Sequence, residues 1–289
     1  MVMYSMSFKK FETEVLYNNI QVCYENTKTI LHEKNNLQEL ILFENPVLGR
    51  VLMLDGVTQV TEADEFIYHE MMTHVPIFSH NNPESILIIG GGDGGIAREV
   101  LRHSRVKSVT MIEIDEAVIN FSQKFIPNIN NGAFDNSKLM LKIADGAVFV
   151  HDTKQKFDVV IVDSTDPDGL GNVLFTKEFY MDCYRILNKD GILVTQNGVP
   201  FMQANELKQS MAYFRQIFKN STCFRATIPT YAFGEMAMGF ASDKDYTDFN
   251  ISLLKERFNT ENLVLNYYTP NIHRAAFALP AYIEKILNF

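Results

Sequence analysis

The hydrophobic and polar positions fall into two rhythms along the chain. From about Phe11 to Val60 they alternate in short runs, VLYNNIQVCYENT, TILHEKNNLQELILFENP and GRVLMLDGVTQVT, broken by Asn, Gly and Pro. A period of two in β-branched and aromatic residues predicts half-buried strands, and the turn residues predict hairpins. A small antiparallel sheet is expected here. The period changes in TEADEFIYHEMMTHVPIF, where Phe66, Ile67, Met71 and Val75 fall on one helical stripe. Thr61 and Asp64 have the spacing of a capping box, and Pro76 is expected to limit the helix.

Beyond Pro83 the apolar positions run together. Ile86 to Ile89 form a continuous stretch, as expected of a strand buried on both faces of a parallel sheet, and IAREVLRH reads as the helix that follows. Strands are then predicted at VTMIEID (Val109 to Asp115), KLMLKIADG, FDVVIVDSTDP and GILVTQN. Between them lie the helices EAVINFSQKFI, stopping at Pro127, and TKEFYMDCYRIL, closed by the turn NKDG. A short helix follows KLMLKIADG. QANELKQSMAYFRQIF reads as a helix, CFRATIPTYAFGEMAMGFAS as a hairpin added to the sheet edge, and two short helices are expected to end the chain. The fold class is α/β: a doubly wound, Rossmann-like, mostly parallel sheet behind a small N-terminal antiparallel β domain. The division is expected at residues 1–62 and 63–289.

Composition narrows the functions. With 289 residues, 46% of them hydrophobic, the chain can build a full core. A formal net charge of -9 weighs against nucleic acid and is compatible with cationic substrates. Cys23, Cys183 and Cys223 are odd in number and widely spaced, so neither a disulfide framework nor a zinc knot is expected, and a reducing, cytoplasmic setting fits. The N-terminus lacks the apolar core of a signal peptide, and no run is long enough to span a bilayer.

The chemistry gathers at predicted strand ends. Gly90, Gly92 and Gly95 satisfy the G-x-G-x-x-G spacing, but Asp93 puts a carboxylate inside that loop. A pyrophosphate loop offers N–H groups to an anion, so a fixed negative charge there suits a cation instead. The next strands end at Glu113, at Asp145, and at Asp163 with Asp166 and Asp168 beyond. Parallel strands would bring these acids to one rim, where open α/β sheets bind ligands. Taken singly, each also fits a helix N-cap or a solvated turn, Asp145 and Asp168 most readily. Glu113 lies about 20 residues past the glycine loop, where such folds place an acid on a ribose. In HEMMTH, His69 and His74 are five apart rather than four, so they do not share a helix face as a zinc-protease pair must, and no metal is expected.

GGGDGG, EID, DSTDP, IPTY, the tail HRAAFALP and the segment FENPVLGRVLMLDGVTQVTEADEFIYHEMMTHVP resemble the spermidine synthases, the polyamine aminopropyltransferases, over nearly the whole chain. The resemblance implies a class I methyltransferase-like fold. The implied reaction moves an aminopropyl group from decarboxylated S-adenosylmethionine, a co-substrate, to putrescine, giving spermidine and methylthioadenosine without a cofactor. It implies Glu113 on the ribose, and Asp145 with the Gly146 backbone on the adenine. Gln38 would reach the nucleoside from the N-terminal sheet. Asp93 would hold the aminopropyl ammonium, and Tyr68, His69 and Tyr231 would line the diamine channel. Asp163 would be the general base, Asp166 would orient the diamine, and Gln196 would meet its far end. A homodimer or homotetramer is implied as well.

The sequence departs from the family pattern after DSTDP, where Leu170 stands in place of the usual proline against the nucleoside. Leu170 supplies apolar contact without the rigid turn. Other readings are a methyltransferase using intact S-adenosylmethionine, an aminopropyltransferase with cadaverine or spermidine as acceptor, a nicotinamide dehydrogenase, and a non-catalytic polyamine binder. Asp93 opposes the carboxylate of an intact methionine tail and the phosphates of a dinucleotide. Asp163, Asp166 and Tyr68 speak against lost catalysis.

Overall fold

The structure is a computed structural model that describes residues 9–164, 169–248 and 250–288. The chain forms two compact units, residues 1–65 with 229–232, and residues 66–228 with 233–289.

In the first unit, β1 (Lys10–Glu14) pairs antiparallel with β2 (Val22–Asn26). A separate four-stranded antiparallel sheet runs in chain order through β3 (Lys28–Lys34), β4 (Glu39–Asn45), β5 (Gly49–Leu54) and β6 (Val57–Thr61). Inward-facing residues of these strands, Tyr24, Phe43, Val51 and Met53, make its core. The alternation therefore becomes hairpins, as the turn residues require. The segment 229–232 joins this unit because Asp64 Oδ2 accepts from the backbone N–H and the hydroxyl of Thr230, at 2.7 and 2.5 Å. Thr61 Oγ1 donates to the other oxygen of Asp64 at 2.6 Å. These two residues thus tie 229–232 in place instead of forming the expected capping box, and the helix starts three residues later than that box would place it, at Glu65.

The second unit opens with α1 (Glu65–Ser79), buried from Ile67 to Ser79. Pro76 does not end it. The proline lacks an N–H for Met72 O, and the carbonyls at the end of the helix take side-chain donors. Ser79 Oγ donates to Val75 O at 2.8 Å, and Arg257 Nη1 donates to Phe78 O, Ser79 O and His80 O. The chain then alternates through β7 (Ser85–Gly90), α2 (Gly95–Leu101), β8 (Ser108–Glu113), α3 (Glu116–Phe125), the single turn α4 (Pro127–Asn130), β9 (Leu139–Ile143), α5 (Gly146–Asp152), β10 (Phe157–Asp163), α6 (Lys177–Ile186), β11 (Leu187–Gln196) and α7 (Ala204–Ile217). A hairpin of β12 (Asn220–Ala226) and β13 (Met236–Ser242) follows.

The resulting seven-stranded sheet has the order β12-β13-β11-β10-β7-β8-β9. Strands β9, β8, β7, β10 and β11 are parallel, and β13 and β12 continue the edge antiparallel. Leu87, Ile89, Val160, Val162 and Leu193 face the cluster built with Phe179, Tyr180, Leu207 and Phe214. The intervening Ile86, Ile88, Val159 and Ile161 are equally buried, so both faces are covered. The sheet is the doubly wound one that the apolar runs require.

Two local expectations fail. NKDG is absorbed into β11, where Phe157 pairs with Leu187 and Val159 with Ile192, so the extra residues bulge and Asp190 takes φ 63°. Three helices, α8 (Ile251–Glu261), α9 (Pro270–Ala276) and α10 (Ala281–Asn288), end the chain instead of two. Thr269 caps α9 through Ile272 N at 3.1 Å, which divides a stretch too short in pattern to resolve. Among the described residues no helix is long and apolar enough to cross a membrane. Ile88 is fully buried at the centre of the sheet. Ile88→Ala should therefore lower the unfolding free energy by about 2–5 kcal/mol in urea titration, with an unchanged far-ultraviolet spectrum in the folded state.

Candidate active site

Strand order reverses between β7 and β10, the position at which doubly wound sheets bind ligands beyond the carboxyl ends of their strands. The loop after β7 fits there because it lacks side chains where neighbours approach. Gly90 has φ 82°, and a Cβ on it would stand 1.9 Å from the Asp163 carbonyl oxygen at the end of β10. A Cβ on Gly92 would stand 2.7 Å from Val118 Cγ1 and 3.0 Å from Glu113 Oε2 at the end of β8. Glycine thus lets Asp93, Asp163 and Glu113 gather at adjoining strand ends.

Helix α1 brings two further side chains to this end. Tyr68 donates its hydroxyl to Asp163 Oδ1 at 2.6 Å, and His69 Nε2 lies 3.2 Å from Asp93 Oδ2. The two rings meet edge-on at 5.7 Å. Asp93 Oδ1 also accepts Gly95 N–H at 2.7 Å. A Cβ on Gly95 would stand 2.2 Å from the His69 ring, so the imidazole rests against bare backbone.

These surroundings drive the carboxyls apart. Burial pushes Asp163 up to about 6, assisted by the charge of Asp93 and opposed by the Tyr68 hydroxyl and by His69. Burial also acts on Asp93, but His69, the Gly95 N–H and the charge of Arg98 outweigh it and hold that group below its ordinary range. Glu113 is pushed up to about 7 by burial, opposed by the N–H groups of Asp115 and Ile114 and reinforced by the charges of Asp115 and Asp163. Its Oε1 accepts Asp115 N–H at 2.9 Å. One carboxylate that stays ionised beside one poised near neutrality is an arrangement suited to holding a cation and accepting a proton.

The other expected positions divide. Asp145 is exposed and caps α5, its Oδ1 accepting Ala147 N at 2.8 Å and Val148 N at 3.1 Å. Gly146 is pressed against Ile89, whose Cγ2 would lie 2.5 Å from an added Cβ. Gln196 ends β11 and is buried. Gln38 and Tyr231 belong to the first unit. Gln38 sits in a turn, its N–H on Asn35 Oδ1 at 2.8 Å, and the Tyr231 hydroxyl donates to Gln59 O at 2.6 Å. Asp166, Asp168 and the Leu170 side chain lie outside the described residues; the backbone of residue 170 belongs to the 3-10 turn Gly169–Phe175. Ile114, between Glu113 and Asp115, is 39% exposed just past the buried run of β8.

Among the described residues no three His, Cys, Asp or Glu side chains gather as metal ligands. His69 and His74 turn to different partners: His74 Nδ1 meets His103 Nε2 at 2.8 Å, and its Nε2 meets Glu99 Oε2 at 3.0 Å.

Fold and site together define a class I methyltransferase-like fold with an acid-lined rim beyond its strand ends. The comparisons with known proteins narrow that class. Residues 65–253 match the spermine/spermidine synthase domain, and residues 8–62 match the spermidine synthase tetramerisation domain. The polyamine aminopropyltransferase of Ruegeria sp. (strain TM1040) is 50% identical over 282 residues, 97% of this chain and 99% of that protein. The polyamine aminopropyltransferase of Pseudomonas syringae pv. tomato is 47% identical over 276 residues, 95% of this chain and 96% of that one. A crystal structure of spermidine synthase in complex with the transition state analogue AdoDATO superposes with TM-score 0.91 at 38% identity, over 96% of this chain and 95% of that chain. The spermidine synthase from Thermotoga maritima gives 0.89 at 38% identity, over 96% and 94%. The chain belongs to the spermine/spermidine synthase family, the polyamine aminopropyltransferases, and is an enzyme of that class.

Asp163 has a testable thermodynamic signature. Its folded value of about 6 lies above the ordinary 3.8, so the folded protein binds this proton more readily than the unfolded chain. The stabilisation is complete at low pH and is lost as pH rises through about 6. Above that range the ionised group costs of the order of 3 kcal/mol. Asp163→Asn should therefore raise the melting temperature at pH 7.5, and calorimetry at pH 5 should show a smaller gain.

Proposed function

We propose that the chain transfers the aminopropyl group of decarboxylated S-adenosylmethionine to putrescine, giving spermidine and methylthioadenosine, with Asp163 as general base. The observation that carries this reading is the pair of carboxyls at the ends of β7 and β10, one held ionised by His69 and one raised towards neutrality and held by Tyr68. Both substrates are cations, so an acidic rim suits both. In the proposed roles Asp93 takes the aminopropyl ammonium, while Tyr68, His69, Asp166, Gln196 and Tyr231 line the diamine path. Glu113 accepts the ribose hydroxyls, Asp145 and Gly146 meet the adenine, Ile114 gives it an apolar face, and Gln38 and Leu170 complete the nucleoside site.

The amine nitrogen attacks the carbon next to sulfur, the carbon–sulfur bond breaks, and its electron pair leaves a neutral thioether. The sulfonium is already an activated leaving group. The obstacle is the nucleophile: an alkyl ammonium titrates near 10.4, so freeing its lone pair at pH 7 costs about 4–5 kcal/mol. A carboxylate that binds the ammonium raises that cost, whereas the sulfonium, the distant ammonium and desolvation lower it. A base with a value near 6 is ionised at neutral pH and still close enough in affinity to take the proton within the transfer. In-line placement of nitrogen, carbon and sulfur contributes the rest through orientation. An intact methionine carboxylate would face the ionised Asp93, which favours this reading over methyl transfer. We read residues 1–62 as an assembly module and 63–289 as the catalytic part, and a cytoplasmic homo-oligomer, dimer or tetramer, as the working form. The matching tetramerisation domain supports that reading.

With decarboxylated S-adenosylmethionine and a panel of putrescine, cadaverine and spermidine, product analysis should find spermidine from putrescine as the main product. Methylation of any acceptor by intact S-adenosylmethionine would overturn the reading. Asp163→Asn should lower kcat by at least about 100-fold. In the wild type, kcat/KM for putrescine should fall about tenfold per pH unit below about pH 6, as Asp163 takes up its proton.

A further inference from the structure

The back of α1 carries a contact that the reaction scheme does not use. Glu70 follows His69 and is 1% exposed. Its Oε1 accepts Asn266 N–H at 2.8 Å, and its Oε2 accepts Tyr267 N–H at 2.8 Å and Tyr268 N–H at 2.7 Å. Three successive backbone donors on one buried carboxylate make a charge-assisted grip of fixed direction. The gripped segment is also fastened to later turns of the same helix. The Tyr268 ring stacks on Phe78 at 5.3 Å and meets His74 edge-on at 5.4 Å, and its hydroxyl lies 2.8 Å from His273 Nδ1.

Two residues along an α-helix are about 200° apart, so Glu70 stands nearly opposite Tyr68. The grip is therefore behind the helix and the Tyr68 hydroxyl in front of it. A tyrosine hydroxyl reaches roughly 8 Å from the axis, and a 5° turn of the helix moves it by about 0.7 Å. Reacting groups tolerate about 0.5 Å of displacement. We propose that Glu70 is a positioning residue: held by the backbone of 266–268, it fixes the rotation of α1, and thereby sets the Tyr68 hydroxyl on Asp163. This rests on the reading of Asp163 as the base.

Glu70→Gln keeps the size of the side chain but turns a donor towards N–H groups that need acceptors. With the full chain, kcat/KM for putrescine should fall at least about tenfold, while KM for decarboxylated S-adenosylmethionine stays within about twofold. The acid limb of the pH profile should move to higher pH, because a displaced Tyr68 hydroxyl no longer favours the ionised form of Asp163. In a Tyr68→Phe background, Glu70→Gln should add less than about twofold. Arg257→Ala, at the far end of α1, should lower the melting temperature without moving the acid limb. Asn266→Pro removes one of the three N–H donors at a position whose side chain is exposed, and gives the same shift in smaller measure if the Gln variant does not fold. An unmoved acid limb and unchanged putrescine kinetics in these variants would overturn the inference, as would a full-sized effect of Glu70→Gln in the Tyr68→Phe background. A wild-type profile without an acid limb, or normal turnover by Asp163→Asn, would instead overturn the base assignment and this inference with it.

Discussion

Two carboxyls that face each other where β7 and β10 end cannot both be ionised cheaply, and the rest of the site is arranged around that repulsion. The charge of Asp93 raises the proton affinity of Asp163, and burial acts in the same direction on both. The surroundings break the symmetry. His69, the Gly95 N–H and Arg98 favour the ionised form of Asp93 enough to overcome its burial. Asp163 takes the Tyr68 hydroxyl and feels the charge of His69, and its value stays near 6. A cation entering between such groups removes the repulsion, so the energy stored in the free protein reappears as affinity for positive charge.

The fold makes that juxtaposition possible from an ordinary sequence of buried strands. Val159 to Val162 and Ile86 to Ile89 lie side by side in register, so their carboxyl ends emerge together, with Asp163 opposite Gly90. The backbone of the first strand can turn there only because residue 90 has no Cβ to strike the Asp163 carbonyl. The apolar strands hold both ends rigid, which is what a pair of like charges requires if they are not to move apart. Helix α1 continues through Pro76 to Ser79. The carbonyls of its last turn are bonded by the guanidinium of Arg257.

The strand ends were legible in the sequence because a continuous apolar run closed by an acid has few other readings. Asp93, Glu113 and Asp163 follow from the runs alone once the strands are taken as parallel. What remained hidden depends on contacts between distant segments. Tyr68 and His69 were placed near the site by resemblance alone, and their contacts with Asp163 and Asp93 are not written in any local pattern. Thr61 and Asp64 had the spacing of a cap, yet their partner is Thr230, 166 residues beyond Asp64. Asp145 fitted an N-cap and a ligand acid equally well, and its capping bonds fall on Oδ1 alone among its two oxygens. Glu70 gave no signal, because a carboxylate satisfied wholly by backbone N–H groups leaves no pairing residue in the sequence.

The three acids of the rim also differ in what they contribute as pH changes. Near neutrality Asp93 is ionised, Asp163 is largely so, and Glu113, with a value of about 7, is half protonated. A sulfonium nucleoside bound in the proposed way approaches all of them at once, and positive charge favours the ionised form of each. Positive charge bound there would draw the remaining protons off Glu113 and Asp163 and leave the proposed base in its accepting form. The same burial that makes the empty rim costly in stability makes its charge responsive to substrate. Acids at the surface, already ionised and screened, would give up little on binding and could not couple the arrival of one cation to the readiness to deprotonate the other.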